Sequence, residues 1–155
     1  MDMNEKVVDK LIEKGFKISF AESCTGGLCA GKLVDVANAS KVFDSSFVTY
    51  ANEAKVNFLG VSELTIEKYG VVSENVAKEM AEGLHKKLGV QVGVGVSGIA
   101  GPTGGTKEKP VGMVCFGFYI DGKTYTFTKL FGDLGRNNVR EKSVEFVFDT
   151  LNELL

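Results

Sequence analysis

Phe16-Lys17-Ile18-Ser19-Phe20-Ala21-Glu22-Ser23-Cys24-Thr25-Gly26-Gly27 is the stretch of this chain that decides the fold. Residues 16–21 predict a short buried strand, and residues 22–27 predict a tight turn. Residues 28 to about 36 then follow at helical spacing. A strand, a glycine-rich turn and a helix in this order are typical of α/β folds, in which ligands bind at the carboxyl ends of the strands.

Helical and strand patterns continue on both sides of this stretch. From spacing, capping residues and glycine stops we expect a helix ending at Gly15, a strand over 47–50, a helix capped by Asn52 and ended by Gly60, helices capped by Ser62 and Ser73, a strand over 90–96, a hairpin turning at Asp121-Gly122 and a last helix over about 137–154. In the strand over 90–96, valines alternate with glycines and small polar residues. One face of that strand is therefore almost free of side chains, and another element must approach it closely.

Helices between the early strands, followed by a late hairpin, predict the fold class. We expect an α/β protein, a three-layer α/β/α sandwich with a mixed sheet. No repeat, low-complexity tract or linker divides the chain, so a single domain over residues 1-155 is expected.

Composition limits the partners. Among 155 residues there are 18 Lys and Arg against 20 Asp and Glu, a formal net charge of -2, and the two signs are interleaved. No basic stripe is present, which argues against nucleic acid as a partner. Three cysteines without a CxxC spacing argue against a disulfide framework or a structural zinc site. With no signal-peptide pattern or membrane-spanning apolar run, we expect a cytoplasmic protein with no membrane partner.

Several familiar motifs are ruled out by their context. Residues 93–98 fit GxGxxG, but these glycines lie inside a predicted strand, and the run 101–107 lacks the Gly-Lys-Ser/Thr order of a phosphate-binding P-loop. His85, the only histidine, lies beside the apolar stripe of its helix, so we expect it on the solvated surface. A Ser-His-Asp triad or a multi-histidine metal site is thereby excluded, and a hydroxyl nucleophile would need another base, such as lysine.

Ser23 is the candidate nucleophile, because it lies where a strand turns into a helix. Its hydroxyl would face a cleft, while backbone N–H groups around Thr25, Gly26 and Gly27 would point at a developing oxyanion. The alternative is structural, with Ser23 or Thr25 capping the helix and the glycines only permitting the turn. Cys24 is a rival nucleophile, since a helix N-terminus favours a thiolate, although free cysteine is often just a small buried hydrophobe.

Lys55 is the candidate base for such a serine. With Asn52 as N-cap, Lys55 falls in the first turn of its helix, where the helix dipole disfavours an ammonium and burial would disfavour it further. Tyr50 either passes a proton and holds the lysine or is an ordinary half-buried strand tyrosine. Arg136 and Arg140, one turn apart, either meet one anion or form surface ion pairs.

Four segments in a fixed order carry a family resemblance over nearly the whole chain. They are Ala21-Glu22-Ser23-Cys24-Thr25-Gly26-Gly27, Phe47-Val48-Thr49-Tyr50-Ala51-Asn52-Glu53-Ala54-Lys55, Tyr69-Gly70-Val71-Val72-Ser73-Glu74, and Ser97-Gly98-Ile99-Ala100-Gly101-Pro102-Thr103-Gly104-Gly105 with Lys109-Pro110-Val111-Gly112. On these residues the chain resembles the CinA C-terminal domain family, also described as nicotinamide-nucleotide amidohydrolase.

The resemblance implies hydrolysis of the carboxamide of nicotinamide mononucleotide, which gives nicotinic acid mononucleotide and ammonia in pyridine-nucleotide recycling. It implies Ser23, Tyr50 and Lys55 as the catalytic residues, and neither a metal nor an organic cofactor. The run Gly132-Asp133-Leu134-Gly135-Arg136 departs from the Gly-Asp-Arg of the family, which leaves the place of Arg136 open and favours Arg140. We expect the substrate-binding residues in the turn after Ser23, in the loop that begins at Ser97 and at one arginine of the last helix. They are Thr25, Gly26, Gly27, Ser97, Gly98, Gly101, Thr103 and Arg140.

The chain is similar to the standalone form of the family, and relatives imply a homodimer or a higher homo-oligomer. Two other functions stay open: a non-catalytic nucleotide-binding or partner-docking module of the same fold, and an amidase that acts on a different small amide. The intact set of Ser23, Tyr50 and Lys55 favours the enzyme, because a binding module has no need of a lysine held against a helix dipole.

Overall fold

The computed structural model describes residues 1–155 and contains one five-stranded sheet and six α-helices. The strands are β1 (Ile18–Glu22), β2 (Phe43–Val48), β3 (Val92–Gly98), β4 (Met113–Ile120) and β5 (Lys123–Leu130). The helices are α1 (Met3–Lys14), α2 (Leu28–Val34), α3 (Asn52–Leu59), α4 (Glu63–Tyr69), α5 (Glu74–Leu88) and α6 (Arg136–Leu154). None of these helices has the length and apolar character needed to cross a membrane.

The sheet is mixed, with the strand order β2-β1-β3-β4-β5. Strands β2, β1 and β3 are parallel, and β4 and β5 complete the sheet as the predicted antiparallel hairpin. The hairpin turns at Asp121 and Gly122, which both have positive φ angles, 41° and 102°. This backbone conformation follows the right-handed twist of the two strands, which explains the Asp-Gly sequence at the turn.

Helices cover both faces of the sheet, which confirms the predicted three layers. Helices α1, α2 and α6 pack together on one face, over a core cluster of 22 buried residues, and α5 packs on the other face with α3 and α4 beside it. A Cβ added at Gly93 would lie 2.6 Å from the Ala81 carbonyl oxygen of α5, and Cβ atoms at Gly95 and Gly117 would overlap the Ala77 carbonyl. The glycine-rich face of β3 therefore exists because α5 lies directly against the sheet.

Two predictions around the second strand are wrong in position. Strand β2 covers Phe43–Val48 instead of 47–50, and Thr49 and Tyr50 lie beyond its end. The apolar pattern did not predict its first residues, because β2 is an edge strand that is only partly buried and contains polar residues. Asn52 is the first residue of α3, whereas Ala51 is the N-cap and makes no side-chain capping bond.

Candidate active site

Three parallel strands end at the same edge of the sheet, and their ends build the candidate site. Ser23 directly follows β1, and its N–H donates to the Val96 carbonyl of β3 at 3.1 Å. On the other side, the Thr49 N–H donates to the Glu22 carbonyl at 2.9 Å. The helix after β1 covers one face of the sheet, and the helix before β3 covers the other. Such a divergence opens a crevice at the carboxyl ends of the strands.

A cavity of about 430 Å³ occupies this crevice. No Asp or Glu lines it, and its charged residues are a lysine and an arginine. The lining residues are Ser23, Cys24, Tyr50, Gly70, Val71, Val72, Gly98, Ile99, Ala100, Gly101, Thr103, Gly104, Thr106, Lys109 and Arg136.

Lys55 lies behind Ser23 and is 1% exposed. Its Nζ is 3.2 Å from Ser23 Oγ and donates to the carbonyl oxygens of Thr49 at 2.8 Å and Tyr50 at 3.2 Å. The one ion pair of the chain, Lys142 with Glu145, does not involve it. Burial lowers the pKa of the Lys55 ammonium from its ordinary value of 10.5, so the amine loses its proton more readily than a surface lysine does.

Tyr50 lies at the cavity, but its hydroxyl is bonded to another partner. The side chain is 61% exposed, and Arg136 Nη2 donates to the phenol oxygen at 2.8 Å. Tyr50 meets Lys55 through its backbone carbonyl only. It is therefore a wall residue whose phenol is held by Arg136, and the alternative of a half-buried strand tyrosine is wrong, since Tyr50 is exposed and follows the strand.

Arg136 lies at the cavity, and Arg140 lies at the turn that carries Ser23. Arg136, the first residue of α6, lines the cavity and donates from Nη1 to the Gly101 carbonyl at 2.8 Å. Arg140 does not line the cavity. Its Nε donates to the Cys24 carbonyl at 2.8 Å and its Nη2 to the Thr25 carbonyl at 3.3 Å. The guanidinium of Arg140 thus binds the turn that carries Ser23, and its role as a substrate-binding residue stays a prediction.

The glycine-rich turn after Ser23 makes contacts that the sequence does not predict. Thr25, Gly26 and Gly27 are absent from the cavity lining. Glu22, the last residue of β1, is fully buried, and its two carboxylate oxygens accept from the N–H groups of Cys29 at 2.9 Å and Ala30 at 3.0 Å at the start of α2. The positive end of the α2 dipole is thereby occupied by a side chain of the protein. An oxyanion site at the three turn residues stays a prediction, and Cys24 is the turn residue after Ser23 that lines the cavity.

Cys24 touches the cavity without the properties of a reactive thiol. It is 6% exposed, and burial raises the pKa of its thiol to about 11. At neutral pH the group is thus protonated and a poor nucleophile. His85 also differs from expectation: it is half-buried, Nδ1 lies 2.8 Å from the Val90 carbonyl oxygen, and its ring stacks on Tyr119 with centroids 4.4 Å apart.

The loop after β3 supplies one long wall of the cavity. Gly98, Gly101 and Thr103 line it as expected, whereas Ser97 does not. Ser97 is 2% exposed, and its hydroxyl donates to the Val71 carbonyl at 2.9 Å, so its role is to hold the neighbouring segment.

Sequence reasoning missed Lys109 as a cavity residue. Its Nζ donates to the carbonyl oxygens of Tyr69 at 2.5 Å and Val72 at 2.6 Å, which joins the glycine-rich loop to the opposite wall. The sequence did carry one indication of this contact, because Lys109 and the segment 69–72 that it binds both lie in segments that carry the family resemblance. The chain offers no group of three or more His, Cys, Asp and Glu side chains placed to hold a metal ion.

Solved structures with the same architecture come from one group of bacterial proteins. The crystal structure of the competence/damage inducible protein CihA from Agrobacterium tumefaciens is 38% identical, with a TM-score of 0.94, and the match covers 98% of this chain and 93% of that chain. A competence-damaged protein (CinA) superfamily protein from Escherichia coli is 34% identical, with a TM-score of 0.95, and the match covers 99% and 88% of the two chains.

Curated relatives are more similar in sequence and much longer. A CinA-like protein from Kosmotoga olearia is 49% identical over 154 residues, 99% of this chain and 37% of the relative. A putative competence-damage inducible protein from Clostridium acetobutylicum is 51% identical over 139 residues, 90% of this chain and 34% of the relative. The chain spans about a third of the length of these relatives. Because the family model for the CinA C-terminal domain also matches residues 1–155, this chain belongs to that family.

Proposed function

We propose that the chain is an amide hydrolase that deamidates nicotinamide mononucleotide to nicotinic acid mononucleotide and ammonia, with Ser23 as the nucleophile. The observation that carries this proposal is the buried Lys55 amine 3.2 Å from Ser23 Oγ, with no carboxylate beside it. A buried lysine without a counter-ion is costly to a fold, and its readily lost proton is what a serine nucleophile requires.

In the first step, neutral Lys55 accepts the Ser23 hydroxyl proton while Ser23 Oγ bonds to the carboxamide carbon. The carbonyl electron pair moves onto oxygen and gives a tetrahedral oxyanion. We assign the Cys24 N–H to this oxyanion, because Cys24 directly follows the nucleophile and faces the cavity.

In the second step, the oxyanion collapses and the carbon–nitrogen bond breaks. The Lys55 ammonium returns its proton to the departing nitrogen, so that ammonia leaves and a Ser23 ester remains. Water then adds to this ester with Lys55 again as base, and the acid is released as Ser23 recovers its proton. Tyr50 acts here through its carbonyl, which holds the Lys55 amine at 3.2 Å, and through a phenol that orients Arg136.

The charges of the cavity support a phosphorylated substrate. Arg136 and Lys109 are its only charged lining residues, and neither has a carboxylate partner. Both donate to backbone carbonyls, which orients them but leaves their positive charge uncompensated. An anionic ligand supplies the missing charge, and the phosphate of a mononucleotide is such a group. Family membership supports the pyridine carboxamide as the reacting part.

We propose that the protein acts in the cytoplasm. All three cysteines are free thiols and buried, which supports a reducing compartment.

Ammonia release from nicotinamide mononucleotide by the purified protein tests the proposal. We expect turnover by the wild type and none by Ser23→Ala. Two control variants should keep turnover: Cys24→Ala, which removes the protonated thiol, and Ser143→Ala, which removes a buried serine that donates to Val139 on α6.

Two outcomes contradict the proposal in different ways. Turnover by Ser23→Ala, or loss of turnover in Cys24→Ala alone, assigns the nucleophile to another residue. A wild type that binds the nucleotide in calorimetry but releases no ammonia favours the non-catalytic binding module, and turnover of other small amides alone favours a different amidase.

A further inference from the structure

The turn between β1 and α2 is held from two sides by side chains of opposite charge. On one side, the Glu22 carboxylate binds the N–H groups of Cys29 and Ala30 at the start of α2. On the other side, the Arg140 guanidinium binds the carbonyl groups of Cys24 and Thr25. An anion on peptide N–H groups and a cation on peptide carbonyls both oppose rotation of these peptide units.

Arg140 is the one protein donor to the Cys24 carbonyl. It lies 116 residues from Cys24 in the sequence, so α6 reaches across the molecule to the turn. The Cys24 carbonyl accepts from no backbone N–H, whereas the Thr25 carbonyl also accepts from Leu28 N–H at 3.0 Å. Removing Arg140 therefore leaves the Cys24 carbonyl without a hydrogen-bond donor from the protein.

The turn is shaped to admit the guanidinium. Gly26 has a φ angle of 56°, and a Cβ at this position would lie 3.2 Å from Arg140 Nη2. Arg140 is itself oriented by Asn137, whose Oδ1 accepts from Nη1 at 3.1 Å. Three separate acceptors thus fix one planar group, which a lysine at this position cannot reproduce.

We propose that Arg140 is a positioning residue of the reaction, which holds the Cys24–Thr25 and Thr25–Gly26 peptide units and thereby fixes the turn, so that Ser23 Oγ stays beside Lys55 and the Cys24 N–H faces the cavity. This inference rests on the proposed function. It gives Arg140 no contact with substrate, in contrast to Arg136, which lines the cavity. A displacement of reacting groups by about 1 Å lowers a rate on the order of 100-fold.

Steady-state kinetics of Arg140→Ala and Arg136→Ala with nicotinamide mononucleotide separate positioning from binding. For Arg140→Ala we expect kcat to fall on the order of 100-fold with KM within about twofold. For Arg136→Ala we expect mainly a higher KM. Methylguanidinium should partly restore kcat in Arg140→Ala, while methylammonium should not, because only the planar group spans two carbonyls.

A second measurement depends on the serine and not on the substrate. The rate at which a sulfonyl fluoride modifies Ser23, followed by mass spectrometry, should fall in Arg140→Ala and fall less in Arg140→Lys, which keeps a charge and a single donor nitrogen. Thermal melts confirm that each variant is folded at the assay temperature, and Arg140→Lys serves where Arg140→Ala does not fold.

The results divide clearly. A higher KM with unchanged kcat in Arg140→Ala, or an unchanged modification rate, overturns positioning and returns Arg140 to substrate binding or to a passive role. A wild type that neither turns over the nucleotide nor reacts with the sulfonyl fluoride at Ser23 overturns the proposed function, and the positioning role with it.

Discussion

The Lys55 amine is buried, and burial disfavours its charged form. Since burial lowers its pKa, the neutral amine is available below the ordinary value of 10.5. The rate of ammonia release should therefore rise with pH, with a midpoint below 10.5, and level off above that midpoint. Lys55→Met should remove this activity at every pH. A rate that shows no rise with pH at any pH below 10.5 would contradict lysine as the base.

The same pKa shift predicts a stability effect that does not depend on function. Between the folded-state pKa of Lys55 and 10.5, the unfolded chain binds more protons than the folded chain, so the wild type gains stability as pH rises. Below the folded-state pKa, the cost of the buried ammonium is fully present. Urea unfolding between pH 7 and 10.5 should show that wild type gains on Lys55→Met with rising pH.

Lys142→Met is the matched control for that experiment. Lys142 is an exposed lysine, with a side chain 54% accessible and an exposed glutamate 3.7 Å away. Its replacement should leave the pH dependence of the unfolding free energy close to that of the wild type. Equal slopes for Lys55→Met and wild type would mean that Lys55 titrates as an ordinary lysine.

Sequence reasoning reached residues whose placement depends on local structure. Ser23 follows a buried strand and Lys55 lies in the first full turn of a helix, and the structure brings the two together. The sequence could not show which arginine lines the cavity, because helical spacing puts Arg136 and Arg140 on one side of α6 and the departure from the Gly-Asp-Arg of the family left the place of Arg136 open. Glu22 was missed because its carboxylate binds backbone N–H groups, which no residue pattern displays.

At the scale of elements, the position of α3 determines where Lys55 lies. Helix α3 packs against α5 at Gly83, where a Cβ would overlap the Leu59 carbonyl oxygen at the end of α3. Gly83→Ala should therefore push α3 outward and destabilise the protein by about 1 to 3 kcal/mol. Activity should fall as well, since the Lys55 amine moves with its helix. Thermal unfolding and ammonia release measure the two effects.

Gly31→Ala on α2 is the matched control, because Gly31 also lies in a helix and a Cβ there meets nothing within 4 Å. Alanine gains about 1 kcal/mol over glycine in a helix interior, so this variant should be more stable than wild type. Both variants therefore gain helix propensity, and only Gly83→Ala also introduces a steric overlap. If Gly83→Ala were also stabilised, α3 would not depend on this contact.

Most elements could be predicted because their patterns are periodic. The face of α5 with Val76, Met80 and Leu84 is buried, and the glycine face of β3 meets the helix that its lack of side chains required. Strand β2 was only partly predicted, since an edge strand needs little apolar surface and its residues 44–46 are polar. The error mattered for function, because it placed Tyr50 inside a strand.

At the scale of the whole molecule, one sheet joins every layer. The 22-residue core cluster contains residues of β1, β3 and β4 and of α1, α2 and α6. On the other face, α5 contacts four of the five strands, namely β1, β3, β4 and β5. No group of elements can separate without exposing this core. Chemical unfolding should thus be a single transition, and far-ultraviolet circular dichroism and tyrosine fluorescence, in a chain without tryptophan, should coincide.

Self-association is the remaining expectation for the whole molecule. Several large apolar side chains are solvent-exposed in the single chain, among them Leu64 at 75%, Leu130 at 69%, Phe58 at 54% and Val48 at 53%. Burying such residues between copies would stabilise an oligomer by mass action, so the melting temperature should rise with protein concentration. Sedimentation equilibrium should then give twice the mass of one chain or more. The mass of one chain, with a melting temperature independent of concentration, would leave the active site of each copy to work alone.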